Sequence, residues 1–291
     1  MVVATIGWLG AGAWIPGASR ALAHGALHQQ LVDVSSQLAA DPENFDLLIR
    51  RGELQRLHQS WGDARADFEK ARSLRPDDLE PVFRLGRLEL EAENPVVAAR
   101  WLQATLDKKP HHIEAALLLA RACVRTGKPG QAVEHFNTAV HWSREPRPEW
   151  FIERSAAILA AAPSGSKEGL KLATASLDEG LELVGPVPTL QLAAIELEVK
   201  AGRIDAALKR LDAIRNVSER KEQWWFRRGL LLEQAGRATE AAAAFQSARS
   251  AIDSLPERQQ RTLAMTEMKR DLEKHLRNTR SATTPATPIA P

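Results

Sequence analysis

Small residues return along this chain at a fixed interval. Gly52, Gly86 and Ala120 are separated by 34 residues each, and the pattern around them repeats with them. Trp61, Ala64, Phe68, Ala71 and Pro76 come after Gly52; Ala98, Leu102, Thr105 and Pro110 come after Gly86; Gly127, Ala132, Phe136 and Ala139 come after Ala120. An interval of this length holds two helices and their turns, which cannot bury an apolar face alone, so the units have to stack on one another. Small side chains at set places let helices approach closely, and bulky ones fill the gaps between pairs. A proline such as Pro76 ends a helix, because it lacks an amide donor and restricts the residue before it.

On these residues the chain resembles the tetratricopeptide-repeat family. The resemblance implies an all-α fold, a right-handed α-solenoid of about six helix-turn-helix repeats: 45–78, 79–112, 113–147, 148–187, 188–221 and 222–252. The fourth contains an enlarged turn, PSGSKEG at 163–169, before Ala173, Leu177 and Gly180 resume the pattern. In the fifth, Gly202, Ala207 and Leu211 mark the turn and second helix. Trp225, Gly229, Gly236, Ala241, Phe245 and Ala248 occupy signature places in the sixth. Segment 24–44, with an amphipathic helix over 26–40, is expected to cap one end. A single long helix within 253–277 is expected to cap the other, shielding the last apolar face. Pro, Thr and Ala without periodicity make 278–291 an expected disordered tail.

Composition excludes several function classes. Hydrophobic residues make up 44% of the 291, enough for a real core. With 39 Lys and Arg against 37 Asp and Glu, no overall field draws the chain to nucleic acid. Cys123 is the one cysteine, so neither an intramolecular disulfide nor a thiolate metal site can form. In its place in the repeat it reads as a small buried thiol.

The amino terminus reads as an export signal over residues 1–23. No charged side chain occurs before Arg20, the run from Val2 to Ile15 is apolar, and Ala21 and Ala23 stand at the small-residue positions of a cleavage site before His24. A buried helix or an uncleaved anchor is the alternative, though the run is short of the ~20 residues that span a bilayer. The expected address is periplasmic or secreted, with no membrane span after cleavage.

The resemblance also implies a partner-binding groove lined by the first helices. Carried onto this chain it comprises Ile49, Arg50, Arg56, Phe83, Arg84, Arg87, Leu117, Arg121 and Arg125, with Asp46, Glu53 and Val124 beside them. Such a groove suits another protein or peptide with carboxylates, because guanidinium forks pair bidentately with them while Ile49, Phe83 and Leu117 offer apolar anchors. The same arginines can equally be a solvated face with local partners such as Glu53. No phosphate-binding glycine loop, nucleophile elbow or acid/base pair is recognisable, so an enzyme is not expected and no cofactor is implied. His111 and His112 fall in a turn between repeats, where a solvated pair is the ordinary reading. A second functional reading is an envelope assembly or metal-handling factor, in which a mature amino-terminal His24 chelates an ion together with His28.

Overall fold

A computed structural model describes residues 17–283, with side chains from 25 to 278. Among the described residues the regular structure is helical throughout: α1 (Gly17–Ala40), α2 (Phe45–Leu57), α3 (Trp61–Leu74), α4 (Glu80–Glu91), α5 (Pro95–Lys108), α6 (Ile113–Arg125), α7 (Pro129–Trp142), α8 (Pro148–Ala161), α9 (Lys167–Val184), α10 (Pro188–Lys200), α11 (Ile204–Val217), α12 (Glu222–Gln234), α13 (Ala238–Asp253), α14 (Glu257–Gln260) and α15 (Leu263–Thr283). Most run as consecutive antiparallel pairs, which makes the fold an all-α helical-repeat solenoid. The export segment lies largely outside the described residues; only its last seven, 17–23, belong to α1.

Local chemistry sets the helix ends. Pro81, Pro95, Pro129, Pro148 and Pro188 stand in the first turns of their helices, where a missing amide costs nothing. Asn44 Oδ1 accepts from Leu47 N at 3.0 Å to cap α2, and Ser166 Oγ accepts from Gly169 N at 3.0 Å to cap α9. Within most pairs the turn is three residues long and its middle residue is left-handed: Gln59, Glu93, Gly127, Gly202 and Gly236, with φ between 62° and 74°. The α8–α9 turn spans five residues, 162–166, with Gly165 left-handed at φ 72°.

The chain divides into two compact halves, one through Thr126 and one from Gly127. In the first, Val34 and Leu38 of α1 pack with Phe45, Leu48, Leu54 and Ala71. Next to this, Ala64, Phe68, Leu85 and Leu88 join α3 to α4. In the second half, Ile195, Leu211, Ile214 and Trp224 form one cluster. Phe245, Ala248 and Ile252 form another with Met265, Leu272 and Leu276 of α15.

The carboxy-terminal cap differs from the single helix expected over 253–277. The chain breaks after α13, makes the short α14, breaks again at Arg261–Thr262 and only then enters α15, which continues to Thr283. Pro256 brings no amide to the first break. Gln260 Nε2 donates to Asp253 O at 3.0 Å and Leu255 O at 2.8 Å, satisfying carbonyls that a continuous helix would have used. At the second break Thr262 Oγ1 donates back to Gln259 O at 2.9 Å. Of the expected tail, 284–291 lies outside the described residues.

Candidate binding face on α2, α4 and α6

The first helices of the first half carry the nine residues singled out from the sequence. They are held by a lattice of arginines and glutamates with Glu53 at its centre. Arg56 donates from Nη2 to Glu53 Oε1 at 2.7 Å and from Nε to Glu53 Oε2 at 3.0 Å, and its Nη1 pairs with Glu91 of α4. Arg84 stands with Nη1 3.0 Å from Glu53 Oε2, the oxygen that also meets Arg56 Nε, and Nη2 2.7 Å from Glu80. Arg87 bridges three helices: Glu53 of α2 at 3.9 Å, Glu91 of its own helix at 3.3 Å and Glu114 of α6 at 3.7 Å. Burial works to raise the Glu53 carboxyl, but the Arg56 hydrogen bond and the charges of Arg56, Arg84 and Arg87 outweigh it and hold it below its usual 4.5.

This geometry changes the meaning of the groove residues. Arg56, with a side chain 6% exposed, is a buried tie between α2 and α4 and not an open hook. Phe83 and Leu117 are buried too, Phe83 with its ring 4.6 Å from that of His112, so they serve the core and not as open anchors. Ile49 is half-buried against the clusters around Phe45 and Phe68. Arg84, Arg87 and Arg121 are half-buried, and Arg125 is exposed with Nη1 on Leu90 O at 2.8 Å. Arg50 is exposed, as are Asp46 and Val124. The face is therefore a nearly balanced mosaic of both charges, where the sequence alone suggested a surface dominated by arginine. Glu80 and Glu114, which help make this difference, repeat the place of Asp46 at intervals of 34 residues and Glu91 stands 34 residues before Arg125, so all three occupy groove positions that the sequence reading passed over.

His112 was also missed. Its Nδ1 accepts from Ala115 N at 3.2 Å and so caps α6. Its place directly ahead of Ile113, where the helical pattern begins, was the available signal.

Elsewhere the polar side chains staple helices together. Glu89 of α4 and Glu198 of α10, each four residues before a left-handed turn residue, are buried. Glu89 accepts from Arg65 at 2.5 Å and Asn94 at 3.0 Å; Glu198 accepts from Arg203, with Arg210 Nη2 at 3.3 Å. Arg154 is buried between Asn137, Ser176 and Glu179, joining α8 to α7 and α9. In the second half, Trp142, Leu183 and Val217 are exposed at one repeat position, six residues after Phe136, Leu177 and Leu211. His28 is exposed on α1, whereas the side chain of His24 lies outside the described residues. Among the described residues no helix is long and apolar enough to cross a membrane.

Two family models match the chain, both described as tetratricopeptide repeat, one over residues 89–151 and one over 192–256. No curated protein matches it in sequence. Among solved structures, a tetratricopeptide repeat protein from Parabacteroides merdae is similar at 14% identity, with 91% of this chain and 96% of that one covered and a TM-score of 0.52. PilF of Pseudomonas aeruginosa is similar at 14% identity, with 79% and 98% covered and a TM-score of 0.50. At such identities the likeness concerns the fold alone. Repeat spacing, paired helices and left-handed turns agree with these matches: the chain is an all-α helical-repeat solenoid that carries tetratricopeptide-repeat segments over residues 89–151 and 192–256.

Proposed function

We propose that the chain is an interaction scaffold that holds another polypeptide on the face of α2, α4 and α6, and that it works outside the cytoplasm. A tetratricopeptide-repeat solenoid is ordinarily a non-catalytic binder of proteins or peptides, which supports the first part. The observation that carries it is the Glu53-centred mosaic. Three successive first helices present half-exposed, mutually oriented charged groups there, and preorganised groups lose less freedom on binding than mobile ones. Partner carboxylates are met by Arg50 and Arg125 at its margin, while Arg84 and Arg87 keep their glutamates.

Photo-crosslinking decides the face. A crosslinker at Arg50 or Val124 is expected to trap one discrete protein in extracts of the source cell, and one at the exposed Glu69 of α3 is not. Equal trapping from Glu69, or none from the face, would retire this reading. The address rests on the apolar segment before Arg20, and fusing residues 1–30 to a reporter active only outside the cytoplasm tests it. An inactive fusion would remove the export proposal.

A further inference from the structure

We propose that His112 is a proton-operated latch, which holds the first turn of α6 closed when neutral and releases it, together with the α4–α6 side of the binding face, when protonated. Its functional consequence rests on the binding face proposed above; the latch itself does not.

Ala115 N donates to His112 Nδ1 at 3.2 Å, so that nitrogen is the imidazole's acceptor and the ring proton sits on Nε2. Helix caps are ordinarily Asp, Asn, Ser or Thr, whose oxygens keep a lone pair in neutral water. An imidazole cap loses its lone pair as soon as Nδ1 takes a proton from solvent. The Ala115 amide is then without its acceptor, and a full positive charge stands at the positive end of the helix dipole.

Neighbouring groups set when the ring charges and which contacts its charge disturbs. The ring is half-buried against Phe83 of α4, 4.6 Å between centroids. The ionisable groups acting on it are Lys109 in the preceding turn, Glu80 of α4 and Glu114 of α6, with His111 next to it in the chain. Burial first and Lys109 second push the imidazole below its usual 6.5, against the opposing pull of Glu114, of a hydrogen bond with its own backbone and of Glu80, so the neutral cap is the resting form at neutral pH. Those two glutamates are also the ones that pair with Arg87 and Arg84. A charged His112 competes for both carboxylates, so opening the cap loosens the partners of the two face arginines in the same step.

Amide exchange over residues 113–116 of the full chain, corrected for intrinsic rates and measured from pH 7.5 to pH 5.0, tests the latch without any partner. The wild type is expected to lose protection at Ala115 about tenfold across this range, in line with the loss of one cap. His112→Asn retains a capping acceptor that does not titrate and is expected to stay flat; His112→Ala is expected to be low throughout. Protection that holds in the wild type at pH 5.0, or a His112→Asn variant that falls in step with it, overturns the proposal. Either outcome leaves crosslinking from Arg50 and Val124 at pH 7.5 unaffected, so failure of the latch and failure of the binding face are read separately.

Discussion

Phe68 lies directly over Gly52: a Cβ at Gly52 would stand 2.6 Å from Phe68 Cε1. The ring is fully buried and has no room to retreat. Gly52→Ala is therefore expected to destabilise the fold by ~1–3 kcal/mol through overpacking, despite alanine's better helix propensity. Gly62 on α3 meets nothing within 4 Å of its own Cβ position, so Gly62→Ala is expected to add about 0.5 kcal/mol. Chemical denaturation of the two variants checks the opposite signs.

Removing the ring acts in the other direction on the same contact. Phe68→Ala leaves a cavity between α2, α3 and α4 and is expected to cost ~3–5 kcal/mol. Ala64, also fully buried in that cluster, is expected to tolerate leucine poorly, at ~1–3 kcal/mol. Unchanged melting of both variants would contradict the packing described for the first repeat.

Two arginines six residues apart on α2 separate structure from recognition. Arg56 is buried and tied to Glu53 and Glu91, so Arg56→Ala removes the buried tie between α2 and α4, leaving Glu53 with Arg84 and Arg87, and is expected to cost ~1–3 kcal/mol. Arg50 is exposed, and Arg50→Ala is expected to shift stability by no more than ~0.5 kcal/mol. Urea midpoints of the two variants check this, and only the Arg50 variant reports cleanly on partner binding.

Gln59 and Glu93 occupy the left-handed turn position that Gly127, Gly202 and Gly236 hold elsewhere. A side chain in that conformation costs about 1–2 kcal/mol, part of which glycine returns as unfolded-state entropy. Gln59→Gly and Glu93→Gly are each expected to stabilise by ~0.5–1 kcal/mol, measured as a rise in denaturation midpoint.

Stability should depend on pH in two windows. Burial pushes His135 below 6.5, against a weaker opposite pull from Glu134. Below pH 6.5 the unfolded chain binds this proton more readily than the folded one, so stability falls with pH toward the lower folded value. His135→Gln is expected to reduce that slope and leave the share of His112, which burial also holds below 6.5. The Glu53 carboxyl is held below 4.5, so its contribution is complete above pH 4.5 and is lost as pH falls through its folded value. Glu53→Gln is expected to reduce the second slope, which Glu240, held low by its hydrogen bond with Arg237, shares. Denaturation titrations from about pH 7.5 to about pH 3.5 bracket both windows.

The helical-repeat fold was legible in the chain without any coordinates. Glycine, alanine and phenylalanine at fixed intervals encode close approach and gap filling, and both are local to one helix pair; helices accordingly begin at Phe45, Glu80, Ile113, Pro148, Pro188 and Glu222. The enlarged turn in the fourth repeat was legible for the same reason, since Gly165 and Ser166 are a left-handed residue and a helix cap in any context. The break at the carboxy-terminal cap was not, because an apolar stripe continues across it and only the Gln260 side chain, folding back on two carbonyls, makes the interruption favourable. The character of the binding face emerged only once the helices were packed. A run of arginines in sequence reads as positive surface, yet the carboxylates that balance it come partly from the same helix, as Arg84 and Glu80 show, and partly from a neighbouring helix 35 residues away, as Arg56 and Glu91 show. Charge compensation acts across space between repeats, which a pattern read along one helix cannot register.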